Sequence, residues 1–137
     1  MNWQECNKRR LAKDVQLDRD LITALRKTSE NKLESESKLE LSDITASSKL
    51  FLAYDSLREL LEALALKHGY KIYNHECYTA FLKEILLENT KGEEFDELRQ
   101  IRNSINYYGK DILQEEAKKI IERIRVLRNS ILILLER

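Results

Sequence analysis

The sequence predicts an all-α protein, an up-and-down bundle of about five helices. Three observations carry that expectation. The 137 residues contain no proline and only three glycines, Gly69, Gly92 and Gly109, whereas sheet proteins need far more turn chemistry. Charged residues make up 35% of the chain, and Glu, Lys and Arg, like Leu, lose little rotamer freedom in a helix. The apolar residues also recur at steps of three and four, the spacing of one helix face. The length fits a single domain over 1–137, large enough to bury a core.

Taken in order, the first helix is expected over 14–38, after a short segment that holds the only tryptophan, Trp3. Its apolar positions Val15, Leu21, Ile22, Leu25 and Leu33 thin out toward a Ser- and Glu-rich stretch. That stretch, 29–42, reads either as a helix with one exposed flank or as a loop. Ser42 and Asp43 are N-cap candidates for a second helix reaching Lys67. Within it Leu50, Tyr54, Leu57, Leu61 and Leu64 alternate steps of four and three, and Ala53, Leu60, Ala63 and Ala65 widen the stripe to that of a core helix. Gly69 suits the left-handed position that ends it.

After the connector 70–73, Asn74 caps a third helix over 75–88, and 89–92 reads as a turn. A fourth helix spans 93–108 and breaks at Gly109. Asp111 is expected to cap the last helix, whose Leu113, Ala117, Ile120, Ile124, Leu127, Ile131 and Leu134 keep four-three spacing. Its terminal Ile131–Leu135 run is apolar all round, which suits either a buried terminal helix or a dimer seam.

Acidic and basic residues balance at 24 each, which argues against a coat that holds nucleic acid through many phosphate contacts. A local basic cleft remains open. Cys6 and Cys77 match no metal spacing, and two free thiols in a reducing cytoplasm are expected. The first ten residues are too polar for a secretory signal, and no apolar run is long enough for a membrane span. No metal and no cofactor are implied.

The most informative segment is the fourth helix. At about 100° per residue, Phe95, Leu98, Ile101, Ile105 and Tyr108 share the arc toward the core. Arg102 falls inside that arc. An arginine cannot shed its proton to escape burial, so it needs partners or a wet cleft. Asn106 lies one turn on, and Arg99 sits at the edge of the same flank. Asn103 and Tyr107 lie around the helix toward solvent. Two readings stay open: Arg102 pairs with a buried carboxylate such as Asp55 or Glu59, or it binds an anion, because the guanidinium fork suits phosphate oxygens.

The Arg102-Asn-Ser-Ile-Asn-Tyr-Tyr-Gly stretch resembles the motif helix of the HEPN superfamily, the helical nucleotide-binding domain of higher eukaryotes and prokaryotes. The run from Tyr54 to Lys71, followed by Asn74-His-Glu, is similar to that family's second helix and the turn after it. The resemblance implies a HEPN-like core over 43–136, with 1–40 as a helical extension, and a homodimer whose motif helices face each other across a cleft. It implies nucleotide or RNA as ligand. It also implies a nucleotidyltransferase-type protein as partner, in a toxin–antitoxin-like pair. The site residues are then Arg99, Arg102, Asn103, Asn106 and Tyr107.

The chain departs from the family's nuclease motif, which places a histidine after the arginine with four to six residues between them. From Arg102 those positions hold Tyr107, Tyr108 and Gly109; from Arg99 they hold Ser104, Ile105 and Asn106. Metal-independent cleavage needs proton transfer near neutral pH, which histidine supplies and tyrosine does not. No catalytic residue is therefore assigned, and His75 is expected to make a local cap contact. A binding module is the leading expectation. Its rivals are a metal-independent ribonuclease using Arg102 with a non-histidine partner, and a purely structural dimerisation protein.

Overall fold

The computed structural model describes residues 1–137, the side chain of Tyr108 excepted. The elements in chain order are α1 (Trp3–Lys8), β1 (Ala12–Asp14), α2 (Arg19–Lys38), α3 (Ala46–Lys67), β2 (Tyr70–Ile72), α4 (His75–Ala80), α5 (Asn89–Tyr108) and α6 (Gln114–Glu136). A π-helical stretch, Phe81–Ile85, continues α4. The architecture is the helical bundle that the spacing predicts.

At its centre lies α3. Its stripe Leu50, Tyr54, Leu57, Leu61 and Leu64 is buried throughout, as are the flanking Ala53, Leu60, Ala63 and Ala65. Full burial of each leucine contributes about 1.5–3 kcal/mol. α2 packs antiparallel on one side of α3, where Ser29 meets Ser56 and Lys49 reaches back to the carbonyls of Glu36 and Leu39. α6 runs parallel to α3. Ser56 accepts from Arg128 at mid-length, and Lys67 donates to the Leu135 carbonyl at the far end. α5 crosses back between them in sequence, so α2, α3, α5 and α6 alternate in direction. Buried residues from Cys6 to Leu135 form one cluster.

The terminal run of α6 closes this bundle. Ile131 and Leu135 are buried against the core while Ile133 faces solvent, so the seam is used within the chain.

Several expected boundaries move, each for a local reason. Residue 14 does not open a helix. Ala12–Asp14 instead pairs antiparallel with Tyr70–Ile72, Ala12 opposite Ile72 and Asp14 opposite Tyr70, and α2 begins after Asp18, whose carboxylate accepts the Leu21 amide. The stretch from 29 is helix as far as Lys38, because Glu36 turns inward to ion-pair with Lys49 and Arg125. Ser42 and Asp43 do not cap α3. Ser42 and Thr45 bond each other, and Asp43 accepts the amide of Gln114 at the start of α6. Asp111, the expected cap of α6, bonds only the neighbouring Ile112 amide among the described residues.

Residues 89–92 are the first turn of α5 rather than a turn between helices. Gly92 is there for space: a Cβ would fall 2.5 Å from Cγ of Lys83 on the π-helical stretch. Gly69 ends α3 in the left-handed region, at φ +90°, as expected.

The cysteines are also corrected. Cys6 and Cys77 form a disulfide, with Cα atoms 6.0 Å apart, and both are fully buried. They meet because α1 packs on α4: the Met1 ammonium pairs with Glu76, and Trp3 packs its ring against Tyr70 and Phe81. No helix is long and apolar enough to cross a membrane among the described residues.

Candidate anion-binding site

The site is built where α5 passes the first half of α3. Phe95, Leu98 and Ile105 bury the inner face of α5, which turns Arg102 toward α3. There its guanidinium carbon lies 5.4 Å from the centroid of the Tyr54 ring and 5.9 Å from that of Phe51. Its only hydrogen bond among the described residues is a long one, 3.4 Å, from Nη1 to Oδ1 of Asn103. Nε is buried and has no partner among the described residues. The expected pairing with Asp55 or Glu59 is absent among the described residues. Glu59 is taken by Lys32, Thr28 and Arg58, and no ion pair joins Asp55 to Arg102. Arg102 is thus a cation held by aromatic faces, with its hydrogen-bonding capacity largely unspent.

Arg99, one turn earlier, is spoken for. It forms a forked contact with Asp96, Nε at 3.1 Å and Nη2 at 2.8 Å from the same oxygen. Burial works against the Asp96 charge, yet the Arg99 guanidinium and the Thr79 hydroxyl together hold its carboxyl below the usual carboxylate range. Asn103 is half-buried beside Arg102, Asn106 is exposed, and Tyr107 is 68% exposed. Tyr107 stands on the solvent side of α5 and has no part in the cradle around Arg102. The side chain of Tyr108 lies outside the described residues.

Three further side chains complete the site, and sequence reasoning assigned none of them to it. The first two are Tyr54 and His75. The Tyr54 hydroxyl lies 3.0 Å from Nδ1 of His75. This replaces the local cap contact expected of His75; the cap of α4 is Asn74, which accepts the Glu76 amide. Burial pushes the Tyr54 hydroxyl well above the usual tyrosine value, so it keeps its proton. Burial, then the charges of Arg58 and Arg102, lower His75 to about 4, so its ring is neutral at pH 7. With the hydroxyl donating to Nδ1, Nε2 carries the ring proton and is left as a donor.

The third is Arg58, one turn beyond Tyr54 on α3, ion-paired with Glu62 at 3.1 Å. The one signal that could have found the pair is Tyr54 itself. A tyrosine in a stripe of leucines needs a partner for its hydroxyl.

Donors and cations therefore converge on Tyr54: Arg102 over its ring, His75 on its hydroxyl, Arg58 and Arg99 nearby. Such a constellation suits an oxyanion. No group of three or more His, Cys, Asp or Glu is placed to hold a metal ion among the described residues. Comparison of the chain with protein-family models, with curated proteins and with solved structures finds no match.

Proposed function

We propose that this protein is a HEPN-like binding module that takes a phosphate of a nucleotide or of RNA at Arg102. The observation that carries this reading is the buried Nε of Arg102, which has no hydrogen-bond partner among the described residues. A buried donor without a partner costs about 1–3 kcal/mol, and a phosphate oxygen would satisfy it. Asn103 orients the guanidinium, Arg99 and Arg58 add positive potential, and neutral His75 offers an N–H. The resemblance of the α5 motif to the HEPN superfamily points the same way. With it come a homodimer, a nucleotidyltransferase-type partner and a toxin–antitoxin-like role in the cytoplasm. In that compartment the Cys6–Cys77 bond would face a reducing thiol pool.

A second reading, metal-independent RNA cleavage, draws on one observation: the fold brings a histidine, His75, to the arginine site from another helix. A histidine lowered to about 4 is poorly matched to proton transfer near neutral pH, so binding leads. One experiment separates them. The purified protein and Arg102→Ala are titrated with ATP, and both are incubated with a mixed RNA pool in EDTA. Binding lost on substitution, without cleavage, supports the module. Cleavage by the wild type alone would replace it with a ribonuclease.

A further inference from the structure

The two-stranded ribbon carries a second feature in line with the first. Ile72 and Tyr70 turn toward the core, so Lys71 and Tyr73 stand on the opposite, outer face. Lys13 pairs across the ribbon with Lys71. The result is an exposed tyrosine flanked by two ammonium groups. The Lys13 Nζ lies 5.6 Å and the Lys71 Nζ 6.0 Å from the centroid of the Tyr73 ring, which is 57% exposed.

This platform connects to the Arg102 site through α3. Lys71 bonds Glu62 at 2.9 Å, Glu62 bonds Arg58, and Arg58 is one turn from Tyr54. Phe51, Tyr54, Arg58 and Glu62 follow one another along one side of α3, a run of about 16 Å at the helical rise per residue. His75 lies two residues beyond Tyr73 and reaches the same Tyr54. Cations thus recur along the run, and a solvent-facing ring closes it.

We propose that the phosphate site is one end of a track for single-stranded RNA, and that Tyr73 is a platform on which an unpaired base stacks. The proposal rests on the phosphate reading of Arg102. A strand with one phosphate at Arg102 and others near Arg58 and Lys13 lays its bases toward the ribbon. An aromatic face accepts any unpaired base, whereas a base inside a duplex presents no free face to it. Balanced net charge is no obstacle, because a strand meets the local cations Arg102, Arg58, Lys71 and Lys13 rather than the net charge of the whole molecule.

The test compares ATP, a short oligoadenylate and a duplex RNA hairpin by titration against the wild type, Tyr73→Ala, Tyr73→Phe, Lys13→Ala and Arg102→Ala. Tyr73 is exposed, so its variants should melt with the wild type, which thermal unfolding checks. The oligoadenylate should bind more tightly than ATP. Tyr73→Ala should weaken the oligoadenylate at least about fivefold, the loss expected of one stacked base, and leave ATP unchanged. Tyr73→Phe should restore it, and Lys13→Ala should flatten its salt dependence.

Oligoadenylate binding indifferent to Tyr73→Ala, or a hairpin that binds as well as the single strand, overturns the track and leaves the phosphate site standing. ATP binding that is absent, or unaffected by Arg102→Ala, overturns the phosphate reading and the track with it.

Discussion

The guanidinium of Arg102 sits over the ring of Tyr54, 5.4 Å from its centroid, and forms no ion pair among the described residues. A cation held this way adds little to stability, because attraction to the ring offsets only part of its desolvation.

Arg102→Met, which keeps the volume, should therefore leave the protein as stable as before or raise stability by up to about 1 kcal/mol. ATP binding should be lost in the same variant. Thermal unfolding decides the first point. A drop of about 3–5 kcal/mol would instead mark a buried ion pair broken by the substitution.

Arg128 should behave in the opposite way. It is 3% exposed, donates from Nε to Ser56 Oγ at 2.7 Å and from Nη2 to Ser29 Oγ at 3.1 Å, and pairs with Glu30 at 2.8 Å. Its truncation takes the charged donor from two buried hydroxyls, which keep their bonds to each other's carbonyls, and opens the joint between α2, α3 and α6. Arg128→Ala should cost about 3 kcal/mol or more, read from urea denaturation. A loss within the range of ordinary surface substitutions would count against this network.

The His75–Tyr54 pair predicts a pH dependence. His75 binds a proton near pH 4 in the fold but near 6.5 when unfolded. The unfolded chain therefore takes up the proton first as pH falls. Stability from the neutral ring is complete above about pH 6.5 and is lost as pH drops toward 4. Allowing for partial solvent access, the loss is about 1–2 kcal/mol. His75→Phe should remove that component of the slope, and the His75 ring proton resonance should titrate near 4 in an NMR series.

Reduction of Cys6–Cys77 should destabilise the protein by about 2–4 kcal/mol, since the bond closes a long loop in the unfolded chain. Thermal melts with and without a reducing agent, with Cys6→Ser as control, give the difference. Equal melting temperatures would show that packing of Trp3 and the Met1–Glu76 ion pair hold α1 unaided.

How much of this was legible depends on how far apart in the chain the cause and the effect lie. The α3 stripe was legible because burial of Leu50, Tyr54, Leu57, Leu61 and Leu64 follows from their own spacing. Arg102 was legible for the same reason, as a charge placed on the inner arc of α5. The three-residue β1 was not, because Ala12–Asp14 becomes a strand only against Tyr70–Ile72. Nor was the disulfide, since spacing along the chain says nothing of a Cys6–Cys77 distance. Glu36 reads as a solvated helix end until Lys49 and Arg125 are placed around it. His75 reads as a local contact because its partner stands on another helix.

The contact from the Gln114 amide to Asp43 has a consequence for how α6 comes into being. That helix has no side-chain cap among its own neighbours. Its free first-turn amide is met by a loop that precedes α3, on the far side of most of the chain. The starting point of α6 is therefore not written in the residues around it. It is set by arrival, in the sense that a peptide cut out to contain α6 alone would fray where the intact protein begins its last helix. The loop before α3 thus acts as a latch whose engagement reports that α6 has docked in register beside α3.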